Sequence, residues 1–147
     1  MPGRAGEPLR SERRHPVSRA ATMVVRDASR GTVVAGRVTS GTSFWGRFRG
    51  LMGRRTLAPD EGLYLPVSSI HMLFMRFPID ALFVTAPDPG GTRRVAGLRH
   101  DLPPWRGLVL PVRGAAGVVE LAAGTLQRSG LQPGDAVRLD AVADPAV

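Results

Sequence analysis

A chain of 147 residues with a hydrophobic fraction of 43% can fold as one domain around one core, which excludes a chain that is disordered throughout. It contains no cysteine, which excludes disulfides, cysteine-ligated metals and a thiol nucleophile. The net charge is +8 and every basic residue is arginine, but residues 1–22 account for +3, and no arginine-rich helix or arginine–aromatic platform is visible, so nucleic-acid binding is disfavoured.

The first 22 residues contain proline, glycine and arginine without a hydrophobic period, so they cannot bury enough apolar surface to fold. We expect a disordered extension over 1–22, with Met23 as an alternative start site, one globular domain over 23–141, and a disordered tail over 142–147. No stretch has the apolar run of an export signal or a membrane span. The sequence therefore predicts a cytoplasmic protein, and its residue bias is typical of a GC-rich bacterial genome.

From Met23 onward, short β-like runs alternate with turns, and one stretch has a helical period. Residues 43–55 carry Phe44, Phe48 and Leu51 at helical spacing, which predicts an amphipathic helix. Gln-Pro-Gly-Asp at 132–135 suits a type II turn, and Gly130 suits the end of a helical turn over Thr125–Ser129. The predicted strands are 23–27, 31–37, 63–65, 70–75, 79–84, 94–98, 108–112, 117–121 and 136–139.

This spacing predicts an α+β fold that is mainly β. We expect a small curled sheet or barrel of about seven to eight short strands, with one amphipathic helix and a short second helical turn.

Three polar residues lie in the central apolar runs. Strand alternation over 70–75 would place His71 on one face with Leu73 and Met75. Pro78 breaks that run, and the next strand carries Asp80 on the face of Leu82.

Glu120, like Asp80, is an acidic residue within an apolar run, here Gly117–Gly124. A buried carboxylate is costly without a partner, so we expect backbone N–H groups, Arg76, Arg113 or His71 to contact these two acids. A structural role for both acids is favoured over a functional pair.

The alternative is that Asp80 and Glu120 act as general acid and base of a hydrolase-like enzyme. Their separation cannot be derived from the sequence, so we assign no catalytic residue. His71, His100, Asp80 and Glu120 lack the spacing of a metal motif, and neither a Gly-x-Ser-x-Gly element nor a phosphate-binding loop occurs. We therefore predict no metal and no cofactor.

Trp105 follows two prolines in the stretch Asp101–Gly107. The stiff Pro103-Pro104 pair could present Trp105 beside Arg106 as a stacking surface for a ring or a sugar. The favoured interpretation is that Trp105 folds back as a lid on the core, because the chain has few other aromatic residues.

Five motifs occur along the chain: RGLMGR (49–54), IHMLFMRFPIDALFV (70–84), LPPW (102–105), VVELAAG (118–124) and PGD (133–135). In this order and spacing they resemble domain-of-unknown-function family 192, also called uncharacterised protein family 0127. The resemblance covers about residues 44–139 and implies a small α+β domain dominated by a curled sheet or barrel. It implies no activity. Family members usually carry an acid at the positions of Asp80 and Glu120, whereas many have tryptophan at the position of His71.

We therefore expect a non-enzymatic binding or accessory module that holds a small polar ligand or a protein segment. The two alternatives are the hydrolase-like enzyme and arginine-mediated nucleic-acid binding. The candidate binding residues are His71, Arg76, Asp80, Trp105 and Glu120.

Overall fold

A computed structural model describes residues 22–40, 56–73 and 75–142. The predicted helix over 43–55 and the predicted N-terminal extension, apart from residue 22, lie outside these ranges, as do Phe74 and residues 143–147 of the predicted tail. The described elements are β1 (Thr22–Asp27), β2 (Val33–Ser40), β3 (Glu61–Leu65), β4 (Ile70–His71), β5 (Ile79–Val84), β6 (Thr92–Leu102), β7 (Leu108–Val109), β8 (Gly117–Ala122), α1 (Thr125–Ser129) and β9 (Ala136–Ala141).

Seven strands close a barrel in the order β1-β2-β3-β8-β5-β6-β9, with β9 pairing back onto β1. Neighbouring strands are antiparallel except for β2 and β3, which are parallel. Closure leaves the barrel no free sheet edge. The remaining strands, β4 and β7, form a separate two-stranded sheet. The predicted mainly β, α+β fold with a small barrel is confirmed.

The apolar side chains of the barrel form two cores. The interior core takes residues from β1, β2, β5, β6, β8, β9 and α1, and side chains from strands around a closed barrel can meet only inside it. The outer core lies between the outward faces of β3, β5 and β8 and the β4–β7 sheet. We call the β4–β7 sheet and its flanking described residues, 66–73, 75–78 and 103–116, the outer layer.

Strand β5 separates the two cores. All six of its residues are buried. Ile79, Ala81 and Phe83 belong to the outer core, whereas Leu82 and Val84 belong to the interior core. A strand covered on both faces has a continuous apolar sequence, which is why this run shows no polar alternation beyond Asp80.

The predicted turns have the expected geometry. Gly130 has a φ of 69° and ends α1, with its N–H donating to the Leu126 carbonyl. Gly134 has a φ of 89°, and the Asp135 N–H donates to the Gln132 carbonyl, as a type II turn requires.

The strand predicted over Ile70–Met75 is wrong beyond His71. The Met75 N–H donates to the Met72 carbonyl at 3.1 Å, so the chain turns there instead of extending. Met75 is therefore buried, not on the exposed side with His71. The mostly apolar run 70–75 does not reveal such a turn, because it contains no glycine or proline.

Candidate functional site

Asp80 lies at the start of β5 and is completely buried on the interior side of the barrel. Its Oδ1 accepts the Asp101 N–H at 2.9 Å, and its Oδ2 accepts the Leu126 N–H, also at 2.9 Å. One carboxylate thus joins β5, the end of β6 and the first turn of α1. The partners are backbone N–H groups, one of the possibilities expected for this acid.

Glu120 lies on the opposite side of the barrel wall. Strand alternation places it on the outer-core side of β8, and its cross-strand neighbours are Leu63 and Ala81. It is 7% exposed, and within the described residues no donor reaches its carboxyl group. The expected partner is therefore not found there. Burial raises the pKa of Glu120 from 4.5 to about 7.

The two acids are neighbours in the sheet but do not share a site. Asp80 pairs with Leu121 in the β5–β8 ladder, and Ala81 pairs with Glu120. Because directly paired residues point to the same side and successive residues alternate, the two carboxyl groups face opposite sides of the wall. Asp80 also has both oxygens occupied. This geometry does not support an acid–base pair made of these two residues.

His71 and Trp105 lie in the outer layer, where hydrogen bonds hold their two segments together. His71 pairs with Leu108 across the β4–β7 ladder. The Trp105 N–H donates to the Met72 carbonyl at 2.9 Å, and the Met72 N–H donates to the Gly107 carbonyl at 2.8 Å. Arg76 is exposed in the same layer. These three candidates therefore share one layer, apart from both acids.

The outer layer exposes several large apolar side chains. Ile70 and Val109 point into the outer core, and their neighbours in the ladder point away from it. Large side chains there are exposed: Leu73 by 50%, Trp105 by 52%, Leu108 by 67% and Leu110 by 72%. We call the exposed residues His71, Leu73, Trp105, Leu108 and Leu110 of this layer the outer face.

The backbone of Trp105 has an unusual conformation. Its φ is 68°, a left-handed conformation that side chains other than glycine rarely adopt. The turn around it is closed by the Gly107 N–H, which donates to the Pro103 carbonyl at 2.9 Å. About half of Trp105 is exposed to solvent, and its interpretation as a lid on the core stays a prediction.

The exposure of Leu73, Leu108 and Leu110 was not predicted from the sequence. The run Leu108–Val112 is apolar throughout. A short apolar run of this kind is typical of a buried strand, so its pattern carried no signal of exposure.

Within the described ranges, no group of three or more histidine, aspartate or glutamate side chains could hold a metal ion. Nor does any helix in the described part of the chain have the length and hydropathy to cross a membrane.

Comparisons with known proteins agree on one family. Residues 25–139 match the family model DUF192, described as "Uncharacterized ACR". The chain is 32% identical over 114 residues to a "UPF0127 protein" of Thermococcus sibiricus (strain DSM 12597 / MM 739), covering 74% of this chain and 70% of that protein.

Two solved structures resemble the barrel. One is a protein of unknown function from Novosphingobium aromaticivorans DSM 12444, with a TM-score of 0.63, 28% identity and coverage of 84% of this chain and 89% of that one. The other, from Sinorhizobium meliloti 1021, is described as a "putative transcription regulator", with a TM-score of 0.62, 26% identity and coverage of 81% and 92% respectively.

Proposed function

Because this chain belongs to the DUF192 family, whose description states no activity, we propose its function from the outer face: a non-enzymatic module that binds an apolar, acidic segment of another protein. The observation that carries this proposal is the exposure of Leu73, Trp105, Leu108 and Leu110 on one hydrogen-bonded layer. Exposed apolar patches are uncommon on soluble domains and mark interaction sites.

The side chains of the outer face suit a protein partner. Tryptophan is enriched among the residues that dominate binding energy at protein interfaces. The left-handed backbone of Trp105 is fixed by hydrogen bonds before any partner arrives. A rigid aromatic group loses little conformational entropy on binding, which favours affinity.

The charges around the outer face favour an acidic segment. Residues 66–78 and 103–116 contain Arg76, Arg106, Arg113 and His71 and no aspartate or glutamate. All three arginines are exposed. Positive charge in the layer that carries the outer face attracts a negatively charged partner and discourages a like-charged one.

A selection from a displayed random peptide library tests the proposal. We expect the enriched peptides to combine apolar with acidic residues. Leu108→Ser should weaken their binding by about tenfold or more, because it removes a large apolar side chain that is 67% exposed on the outer face. Val142→Ser is the matched control, since Val142 is 47% exposed but lies beyond β9.

Binding of duplex DNA and of anionic vesicles is measured as well, because each is an alternative partner. Duplex DNA addresses nucleic-acid binding, an alternative that the description of the Sinorhizobium meliloti structure also raises. Anionic vesicles address a lipid surface. The proposal would be overturned if DNA or vesicles bind the wild type but not Leu108→Ser, and no acidic peptide is enriched. Peptides that bind wild type and Leu108→Ser equally well would overturn it as well.

A further inference from the structure

A cleft beside α1 lies apart from the outer face. Two cavities, of about 260 and 310 Å³, open next to each other and share Pro59 and Arg128 in their walls. We call them together the α1 cleft. The smaller cavity lies between β2 and α1, where Asp60, Thr125 and Ser129 supply polar groups. Leu57, Phe77, Pro78 and Ala122 supply the apolar part of the wall of the larger one.

Arg128 is positioned where the two cavities meet. Its Nη2 donates to Thr125 Oγ1 at 3.4 Å, and its backbone N–H donates to the Gly124 carbonyl at 3.2 Å. A Cβ at residue 124 would lie 3.0 Å from Arg128 Nη1, and Gly124 has a φ of 91°. Glycine at 124 thus leaves room for the guanidinium group directly above the turn.

The charge of Arg128 is not neutralised within the described part of the chain. The acid in the cleft wall, Asp60, is committed to Arg37, which donates to it twice at 3.0 Å. That pairing raises the pKa of Arg37 and lowers that of Asp60 through the side-chain hydrogen bond. One bond to a threonine hydroxyl leaves most of the guanidinium donors of Arg128 available to an anion.

We propose that the α1 cleft binds a small organic carboxylate with an apolar body. Arg128 would hold the carboxylate through paired N–H donors, the geometry that a planar guanidinium fits best. The apolar body would lie in the larger cavity against Phe77, Pro78 and Ala122. The volume of that cavity, about 310 Å³, is within the range of small-molecule sites.

The test uses 3-phenylpropionate and its amide as probes, with binding followed by NMR of the backbone amides of the full chain. The acid should give saturable shifts at Leu57, Ala122 and Arg128, and the amide should bind about tenfold more weakly or worse, because it lacks the charge. Arg128→Gln should weaken the binding of the acid by a similar factor, and Arg128→Lys should weaken it less.

Two further variants separate the charge from the cavity. Arg26→Gln removes an exposed arginine on β1 and should leave binding unchanged. Ala122→Leu keeps Arg128 but fills the larger cavity, so it should weaken the binding of the acid and of the amide by a similar factor. The proposal fails if wild type shows no saturable shift with the acid. It also fails if acid and amide bind equally, or if Arg128→Gln binds as wild type does.

Discussion

Asp80 stabilises the fold through both of its carboxylate oxygens, which accept N–H groups from residues far apart in the chain. Its own strand supplies neither partner. The sequence indicated only that a carboxylate in this apolar run needs partners. It could not identify Asp101 and Leu126, because those contacts arise when β6 and α1 pack against β5.

Replacing Asp80 by asparagine should lower the free energy of unfolding by about 2 kcal/mol. The amide offers one acceptor where the carboxylate offers two, so a buried N–H is left without a partner. Chemical denaturation measures the loss, and Asp140→Asn on the surface is the control, with an expected change below about 1 kcal/mol. Equal stability of the two variants would contradict a structural role for Asp80.

Glu120 should make stability depend on pH. Its pKa is about 7 in the folded protein and near 4.5 when solvated. Between these values the unfolded chain loses the proton while the folded protein keeps it. The free energy of unfolding therefore falls as the pH rises through that window, by up to about 3 kcal/mol. Below the window both states are protonated, and above it both are ionised.

Glu120→Gln removes this proton linkage. Relative to wild type, the variant should become progressively more stable as the pH rises from about 4.5 to 7, with a constant difference above that. Thermal melts of both proteins across the window measure the difference and cancel the contributions of all other titrating groups. A difference that does not change with pH would mean that Glu120 titrates as a solvated acid.

At the scale of elements, the outer layer depends on a close backbone approach at Gly107. A Cβ there would lie 2.5 Å from Met72 Cγ and 3.0 Å from the Pro103 carbonyl oxygen. Met72 is completely buried in the outer core, so its side chain has little room to move. The turn that carries Trp105 and the apolar core beneath it are therefore packed against each other.

Gly107→Ala should cost about 1 to 3 kcal/mol of stability, because overpacking forces buried atoms apart. It should also weaken peptide binding at the outer face, since Trp105 lies in the same turn. Gly36→Ala on β2 is the matched control, with no heavy atom within 4 Å of its Cβ. Denaturation curves compare the two variants. If Gly107→Ala and Gly36→Ala unfold alike, the contact with Met72 relaxes freely.

For the whole molecule, two cores imply two levels of stability. Strands β5 and β8 lie in the closed barrel between both cores, whereas β4 and β7 are two residues long and cover only the outer core. Segments with few ladder bonds open without unfolding the rest. The outer layer is thus expected to be the less stable unit.

Native-state hydrogen exchange measures this difference. The amides of Met72, Trp105 and Val112, which are hydrogen-bonded within the outer layer, should exchange about tenfold or more faster than those of Leu82 and Val119 in the barrel. A uniform rate for both sets would mean that the barrel and the outer layer unfold as one unit.

Much of the fold follows from local sequence. The β-branched and apolar runs predicted strands close to β1, β5, β8 and β9, and Gly130 and Gly134 predicted their turns, because these features depend on backbone preferences over a few residues. The family and the small, mainly β fold could also be predicted from the sequence alone.

The placement of the candidate site residues depended on long-range pairing. The side of the wall that Asp80 and Glu120 face is set by the register of β3, β5 and β8. The exposure of Leu108 and Trp105 and the position of Arg128 between two cavities likewise follow from how distant segments pack. Alternation along a strand predicts which residues share a face. Whether that face lies inside the barrel, under the outer layer or in contact with solvent is decided only by the packing of the closed barrel.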